Sequence, residues 1–387
     1  YEHNKNDAET LRAIIRGKQK FPRNQFEKLS NAFPCILAGI RDYAEYIPLN
    51  HQMFDLLIID EASQVSLAQA FPALIRAKKV LILGDRKQFS NIKAAQARSD
   101  TNRDYLSRLE GAFKSSVSKD PSQLVRLGKF NIKTSVLEFF EFISNYSMQL
   151  TKHFRGYKEI ISYSNKHFYR NSLQVMKIRA KNIDDVIKFT KVKASAKDEV
   201  RPNSNMAEVD FIKSELLRLK SEKNEMSVGI ITPHTNQQKL LQDQISKMPE
   251  YDHFVEEFKL KIMTFDTCQG EERDIIYYSM VATKESDKLW GVFIKDLNNV
   301  DIEEDGQIKA QRLNVGFSRG KECIHFVISK DIEDFNGSVG EALRHYKLVH
   351  DEALAERDAS ETDQRSGMES EVLNWFYQTE FWKTNKK

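Results

Sequence analysis

Cysteine is scarce in this 387-residue chain. The three present, Cys35, Cys268 and Cys323, lie far apart and form no CxxC pair. That spacing argues against a disulfide framework and a zinc site, and it fits a reducing compartment, cytoplasmic or nuclear, rather than secretion. The nine histidines fall into no metal-like spacing either. No apolar run approaches the roughly 18 residues needed to cross a bilayer, so no membrane partner is expected. The formal net charge is only +3, which excludes a wholly basic molecule; contact with nucleic acid would need a local basic groove. There is no fixed-period repeat and no low-complexity tract. The amino terminus, Tyr1-Glu-His-Asn-Lys, carries neither a signal-peptide pattern nor an initiator Met, and the chain reads as a piece of a longer protein.

What is present is a globular composition, 40% apolar and 30% charged. Short apolar strands alternate with charged amphipathic stretches, the pattern of βαβ units around a parallel sheet, and the fold class is α/β. The length suits two domains and part of a third. The opening, through about residue 30, has a helical pattern, 34–38 reads as a strand, and 56–59 and 80–83 read as buried strands around a helix over 65–77. A Ser/Lys-rich stretch, 114–129, reads as a loop or lid, with the boundary between main domains at 133/134. Beyond it the pattern predicts helices over 136–142, 157–168, 206–220 and 237–247. Strands are predicted over 185–190, 228–231, 260–264, 275–279 and 324–329. Residues 284–311 read as an inserted loop. The second domain is expected to close at 349, before an acidic linker over 351–364 and a short amphipathic helix over 368–376.

The most informative feature is Ile59-Asp60-Glu61-Ala62-Ser63-Gln64 at the end of the apolar run Phe54–Ile59. A strand that stops on Asp-Glu and turns sets two carboxylates at the carboxyl edge of a parallel sheet, where ligands of doubly wound folds bind. The first can hold Mg²⁺ and the second can orient or deprotonate water. Asp and Ser are also ordinary helix caps, so the pair alone leaves both readings open. Four further motifs follow strand ends or open helices. Gly84-Asp85-Arg86-Lys87-Gln88 offers a glycine for a tight turn and a glutamine for a phosphate or water. Lys152-His153-Phe154-Arg155-Gly156 sets a planar aromatic beside an arginine, suited to adenine stacking and phosphate. Thr264-Phe-Asp-Thr-Cys-Gln-Gly270-Glu-Glu272-Arg-Asp and Arg312-Leu-Asn-Val-Gly-Phe-Ser-Arg319-Gly-Lys321 follow, the second read as a turn into a helix with an exposed arginine. Between them Val228-Gly-Ile-Ile-Thr232-Pro233-His234-Thr235 opens from a strand into a turn.

These five motifs in this order resemble the superfamily 1 helicases, in the branch of the nonsense-mediated-decay and Okazaki-fragment-processing enzymes. The DEASQ string resembles motif II, and GDRKQ, KHFRG, TFDTCQGEERD and RLNVGFSRGK resemble motifs III to VI; the resemblance covers about residues 33–329. It implies two RecA-like parallel-sheet domains with ATP bound between them. Residues 1–133 would be an incomplete first domain, 134–349 the second, and 350–387 a helical extension. Asp60 would help hold Mg²⁺, Glu61 would be the catalytic base, and Gln88 would sense the γ-phosphate. Phe154 would stack on adenine, Arg155 and Arg319 would be arginine fingers, Glu272 would contact the ribose, and Gly270 would admit the nucleotide. Thr232, Pro233 and Thr264 would lie along single-stranded DNA or RNA, touching phosphate. Hydrolysis would be coupled to movement along the strand, and the branch implies 5′-to-3′ polarity. One departure is Gly316-Phe317-Ser318, where relatives often carry Ala-Leu-Thr.

A phosphate-binding loop, GxxxxGK[ST], is not in this sequence. The family places it upstream of motif II, so the missing amino-terminal half, on the same or a separate chain, is an expected partner, and the chain alone is expected to hydrolyse ATP poorly. Gly367-Met-Glu-Ser-Glu-Val-Leu-Asn-Trp-Phe376 resembles the first helix of nuclease-like domains that follow such helicases, and equally a capping amphipathic helix. Two other readings remain at this stage: a non-catalytic scaffold that keeps the helicase fold, and the helicase part of a helicase–nuclease.

Overall fold

The computed structural model describes residues 5–17, 26, 33–88, 99–131, 134–289, 291–298, 300 and 310–365. It divides into two units at Gln149/Leu150. In the first, β1 (Phe54–Ile59) and β2 (Ala77–Ile82) pair in parallel with Ile59 opposite Ile82. Preceding them are helices α1 (Lys5–Arg16) and α2 (Ile40–Tyr46). Between the strands lies α3 (Leu67–Leu74), started by a capping box: the Ser66 hydroxyl accepts from Gln69 N, and the Gln69 side chain accepts from Ser66 N at 3.2 Å. Helices α4 (Ser99–Ser116), α5 (Pro121–Leu127) and α6 (Val136–Ile143) follow. Ala62, Ala70 and Val136 form a small core with Ile59, Ile82 and Leu137.

Several sequence expectations change here. The strands are not buried on both faces: Leu57 and Ile59 point to the core, whereas Leu56, Ile58, Leu81 and Leu83 are exposed, as strand alternation requires when helices cover one face. Residues 34–38 form no strand, and Leu37 is 96% exposed. The loop expected over 114–129 is helical instead, because Pro121 pre-sets the first helical φ and the Asp120 carboxylate caps Ser122 N at 2.9 Å. Helix α6, assigned above to the second domain, is pinned in the first unit, with Val136 N donating to Val65 O at 2.8 Å and Leu67 N to Thr134 O at 3.0 Å.

The second unit opens with a two-stranded parallel pair, β3 (Lys152–His153) and β4 (Gln174–Val175), around α7 (Lys158–His167). Its sheet contains β5 (Ile187–Lys191), β6 (Val228–Thr232), β7 (Lys261–Thr264), β8 (Arg273–Thr283) and β9 (Gly320–Ser329). All pair in parallel, in the order β5-β9-β8-β6-β7. Helices α8 (Met206–Ser221), α9 (Thr235–Ile245), α10 (Tyr251–Glu256), α11 (Ala310–Phe317) and α12 (Gly337–Arg365) complete it. One face buries Val209, Ile212 and Leu216 of α8 against Val228, Ile230, Ile275, Tyr277 and Val327. The other is aromatic: Tyr278 stacks on Phe326 at 4.9 Å, and Phe317 meets Tyr163, Phe265 and Tyr346. Both faces are covered, as a parallel sheet requires. The acidic stretch expected as a linker continues as α12, since its Glu, Ala and Arg residues are good helix formers. The expected helix over 368–376 lies outside the described residues. Among the described residues, no helix is long and apolar enough to cross a membrane.

Candidate nucleotide-binding site

At the carboxyl end of β1 the chain turns sharply. Glu61 sits in the left-handed region at φ 51°, ψ 40°, a conformation that costs a non-glycine residue about 1–2 kcal/mol. The surroundings hold it there: Leu83 N donates to Ile59 O and Ala62 N to Leu83 O, each at 2.9 Å. Glu61 N donates to Asp60 Oδ1 at 2.9 Å, and the Gln64 amide to Glu61 Oε2 at 3.1 Å. The turn leaves both carboxylates exposed at the sheet edge. Gly84 meets this turn directly. A β-carbon there would lie 3.3 Å from both Ala62 N and Ser63 N and 3.1 Å from Leu137. Close approach, not a positive φ, is therefore what glycine supplies at this position. Just beyond, Asp85 receives Lys87 N at 2.8 Å and the Gln88 amide at 3.2 Å, which brings Gln88 to the same edge as Asp60 and Glu61.

In the second unit the expected nucleotide residues converge at the amino ends of β8 and β9. Arg155 Nε lies 2.8 Å from Glu272 Oε2, and Lys321 Nζ lies 3.5 Å from the same oxygen. Arg273 N donates to Arg319 O at 3.3 Å. A β-carbon at Gly156 would stand 3.0 Å from Gly320 O, so glycine lets the 152–156 segment lie against β9. Gly270 has φ +76°, the conformation glycine allows at low cost. His153 Nε2 accepts from Gly156 N at 3.2 Å, in keeping with a pKa lowered by burial and by the nearby Arg155. Phe154 is 67% exposed, an aromatic face open for stacking.

Two expectations are revised. Arg319 is not presented to solvent but is 2% exposed. It folds back so that Nε donates to Val315 O at 2.7 Å and Nη2 to Ser318 Oγ at 2.8 Å. Burial and the adjacent Arg155 charge lower its pKa. Thr232, Pro233 and Thr264 are also buried, Thr232 completely, because they end central strands. The exposed neighbours in those two turns are Thr235 and Thr267. They stand at the carboxyl ends of β6 and β7, the opposite edge of the sheet from Arg155 and Glu272. Sequence reasoning did not give Lys321 a role; its signal was a lysine two residues past Arg319. It also missed Glu322, whose carboxylate receives Tyr157 Oη at 2.6 Å, Lys181 Nζ at 2.9 Å, and Lys177.

An AAA domain model matches residues 132–331, about half the chain, and a second AAA domain model matches residues 3–92. The chain belongs to the superfamily 1 helicases. Within that superfamily it falls in the branch marked by the DEASQ string. It is 27% identical over 94% of its length to "Uncharacterized ATP-dependent helicase MG140 homolog" of Mycoplasma pneumoniae, covering 32% of that protein. It is 24% identical over 82% of its length to "DNA replication ATP-dependent helicase/nuclease DNA2" of Gallus gallus, covering 27%. To "Probable helicase MAGATAMA 3" of Arabidopsis thaliana it is 26% identical over 70% of its length, covering 30%. This helicase chain therefore spans about a third or less of the length of these relatives.

Proposed function

We propose that this helicase chain serves ATP-driven movement along single-stranded DNA or RNA, with Asp60, Glu61, Gln88, Arg155 and Arg319 acting on one ATP. The observation that carries the reading is the convergence of Arg155, Glu272, Arg319 and Lys321 from three separate segments, beside an exposed Phe154. Phe154 would stack on the base and Glu272 would pass from Arg155 to the ribose, while Gly270 gives the loop room. Arg155, released from Glu272, and Arg319, released from Val315 O, would meet the γ-phosphate and stabilise the charge that develops there.

Asp60 fits Mg²⁺ as an exposed hard-oxygen donor at a strand end. Among the described residues no group of three or more potential ligands forms a metal cage, which suits an ion held largely by water and substrate phosphates. When bound, Mg²⁺ would neutralise phosphate charge; Glu61 would take the proton of the attacking water, and Gln88 would orient it. Thr235 and Thr267 stand where the turns bearing Thr232, Pro233 and Thr264 reach solvent, and would present their backbone and hydroxyls to strand phosphates. A grip through phosphate is independent of base sequence.

The test is single-strand-stimulated ATP hydrolysis by the complete product of the gene, with Glu61→Gln as the comparison. A loss of at least about a hundredfold in turnover, with strand binding retained, is expected. Turnover indifferent to Glu61→Gln, or no stimulation by single strands, would overturn the reading.

A further inference from the structure

Glu208 lies in the first turn of α8 and is completely buried. The groups that hydrogen-bond to it are uncharged. Ser279 Oγ donates to it at 2.7 Å, Ser329 Oγ at 2.9 Å and Asn205 Nδ2 at 3.3 Å, while Val281 N is shared between its two oxygens at 3.1 and 2.9 Å. Burying a carboxylate among neutral groups costs several kcal/mol, and burial pushes its pKa up to about 7 despite those bonds. A fold that needed only a filled core would be served by an apolar side chain.

What the carboxylate holds is unusual backbone. Val281 has φ +67°, an outlier for a β-branched residue. It stands where the β8–β9 register shifts between Ser279 and Thr283. Strain of this kind persists only when the surroundings fix it, and it clusters at functional sites. The network then runs on to the neighbouring strand. Gln237 donates to Ser279 Oγ at 2.9 Å and to Asn205 O at 3.1 Å, and it accepts from Asn205 N at 2.8 Å. Gln237 is in the first turn of α9, directly after Thr232-Pro233-His234-Thr235. Past the kink, the chain returns so that His234 Nε2 donates to Lys288 O at 2.7 Å.

We propose that Glu208 is a positioning residue for the single-strand grip: it holds the Val281 kink and, through Asn205, Ser279 and Gln237, fixes the 233–236 turn so that backbone phosphates meet it in one register. This rests on the functional reading above and adds a residue that touches no ligand. The acceptor geometry explains why the residue is glutamate. Two oxygens take donors from α8's cap, from β8 at two positions and from β9, whereas a glutamine in the same place would turn an N–H group towards Val281 N or a serine hydroxyl.

The test is fluorescence anisotropy of a labelled oligothymidylate with this chain across a range of KCl concentrations. Glu208→Gln is expected to weaken binding roughly tenfold and to lower the slope of log K against log salt by about 1, as when one phosphate fewer is neutralised. The fraction of binding-competent protein should be unchanged. In the Glu208→Gln background, Val281→Gly should recover most of the affinity, because glycine adopts this φ without strain. If Glu208→Gln does not fold, Ser279→Ala, which removes a donor and Gln237's partner together, carries the same comparison. A variant with unchanged affinity and slope, or one that only loses competent protein, overturns the positioning role while leaving the functional reading standing. No binding by the unaltered chain overturns the functional reading, and the positioning role with it.

Discussion

Gly316 lies in α11, one turn from the carbonyl that holds Arg319, and a β-carbon there has nowhere to go. It would stand 2.2 and 2.4 Å from two ring atoms of Phe265, more than 1 Å inside ordinary carbon–carbon contact. Phe265 cannot easily yield. It is 1% exposed, and its ring meets Phe293 edge-on at 5.0 Å and Phe317 at 5.4 Å. Two effects oppose each other in Gly316→Ala. Alanine gains about 1 kcal/mol of helix propensity over glycine. Overpacking a closed core costs about 1–3 kcal/mol, and so deep an overlap belongs at the upper end. The net expectation is a loss of about 2 kcal/mol, or a melting temperature lower by roughly 4–8 °C for a unit of this size. Circular dichroism melts of the chain would read it, and Phe265→Leu in the same background should recover most of the loss. A Gly316→Ala chain as stable as the original would refute the packing account and return Gly316 to a neutral departure from the family pattern.

Two other outcomes follow from the second unit. Burial alone would raise the Glu322 pKa, but hydrogen bonds from Lys177, Tyr157 and Lys181 hold it down to about 2. A depressed folded-state value gives stability that is present above the ordinary carboxylate pKa of about 4.5 and is lost as pH falls towards 2. Glu322→Gln should therefore cost about 1–3 kcal/mol at neutral pH in urea titrations and show a shallower loss between pH 4.5 and 2; an unchanged acid limb would contradict this. Phe154→Ala should leave the melting temperature within the range of surface substitutions, about 0.5 kcal/mol. It should raise KM for ATP several-fold, because ring stacking on the base is worth about 1 kcal/mol, and an unaltered KM would count against base stacking there.

Much of the second unit was legible because its strands are continuous apolar runs bounded by turn residues. Val228–Thr232 and the run through Ile275 and Ile276 announce themselves by β-branched content. The motifs were legible as order along the chain, and their convergence at Glu272 follows from parallel pairing of β8 with β9. The pose of Arg319 was not legible, since composition cannot tell whether an arginine after a helix faces water or turns back to Val315 O. Glu208 was hidden for a related reason: one glutamate in an amphipathic helix looks like surface until the strands behind it are in place. Helix α5 was missed because its polar composition resembles a loop, although Asp120-Pro121 is a start signal. The pair β3–β4 has two residues per strand, too short for any period to show.

The central claim is that the carboxylate edge carrying Glu61 and the arginine cluster carrying Arg155 act on one ATP. A double-mutant cycle on single-strand-stimulated hydrolysis, in the complete gene product, tests it most directly. Residues that stabilise a single transition state lose their effects together, so Glu61→Gln with Arg155→Ala should be little slower than the worse single variant. Strand binding should persist throughout. Losses that multiply across the cycle would mean that the two clusters act independently, and the shared-nucleotide account would fail.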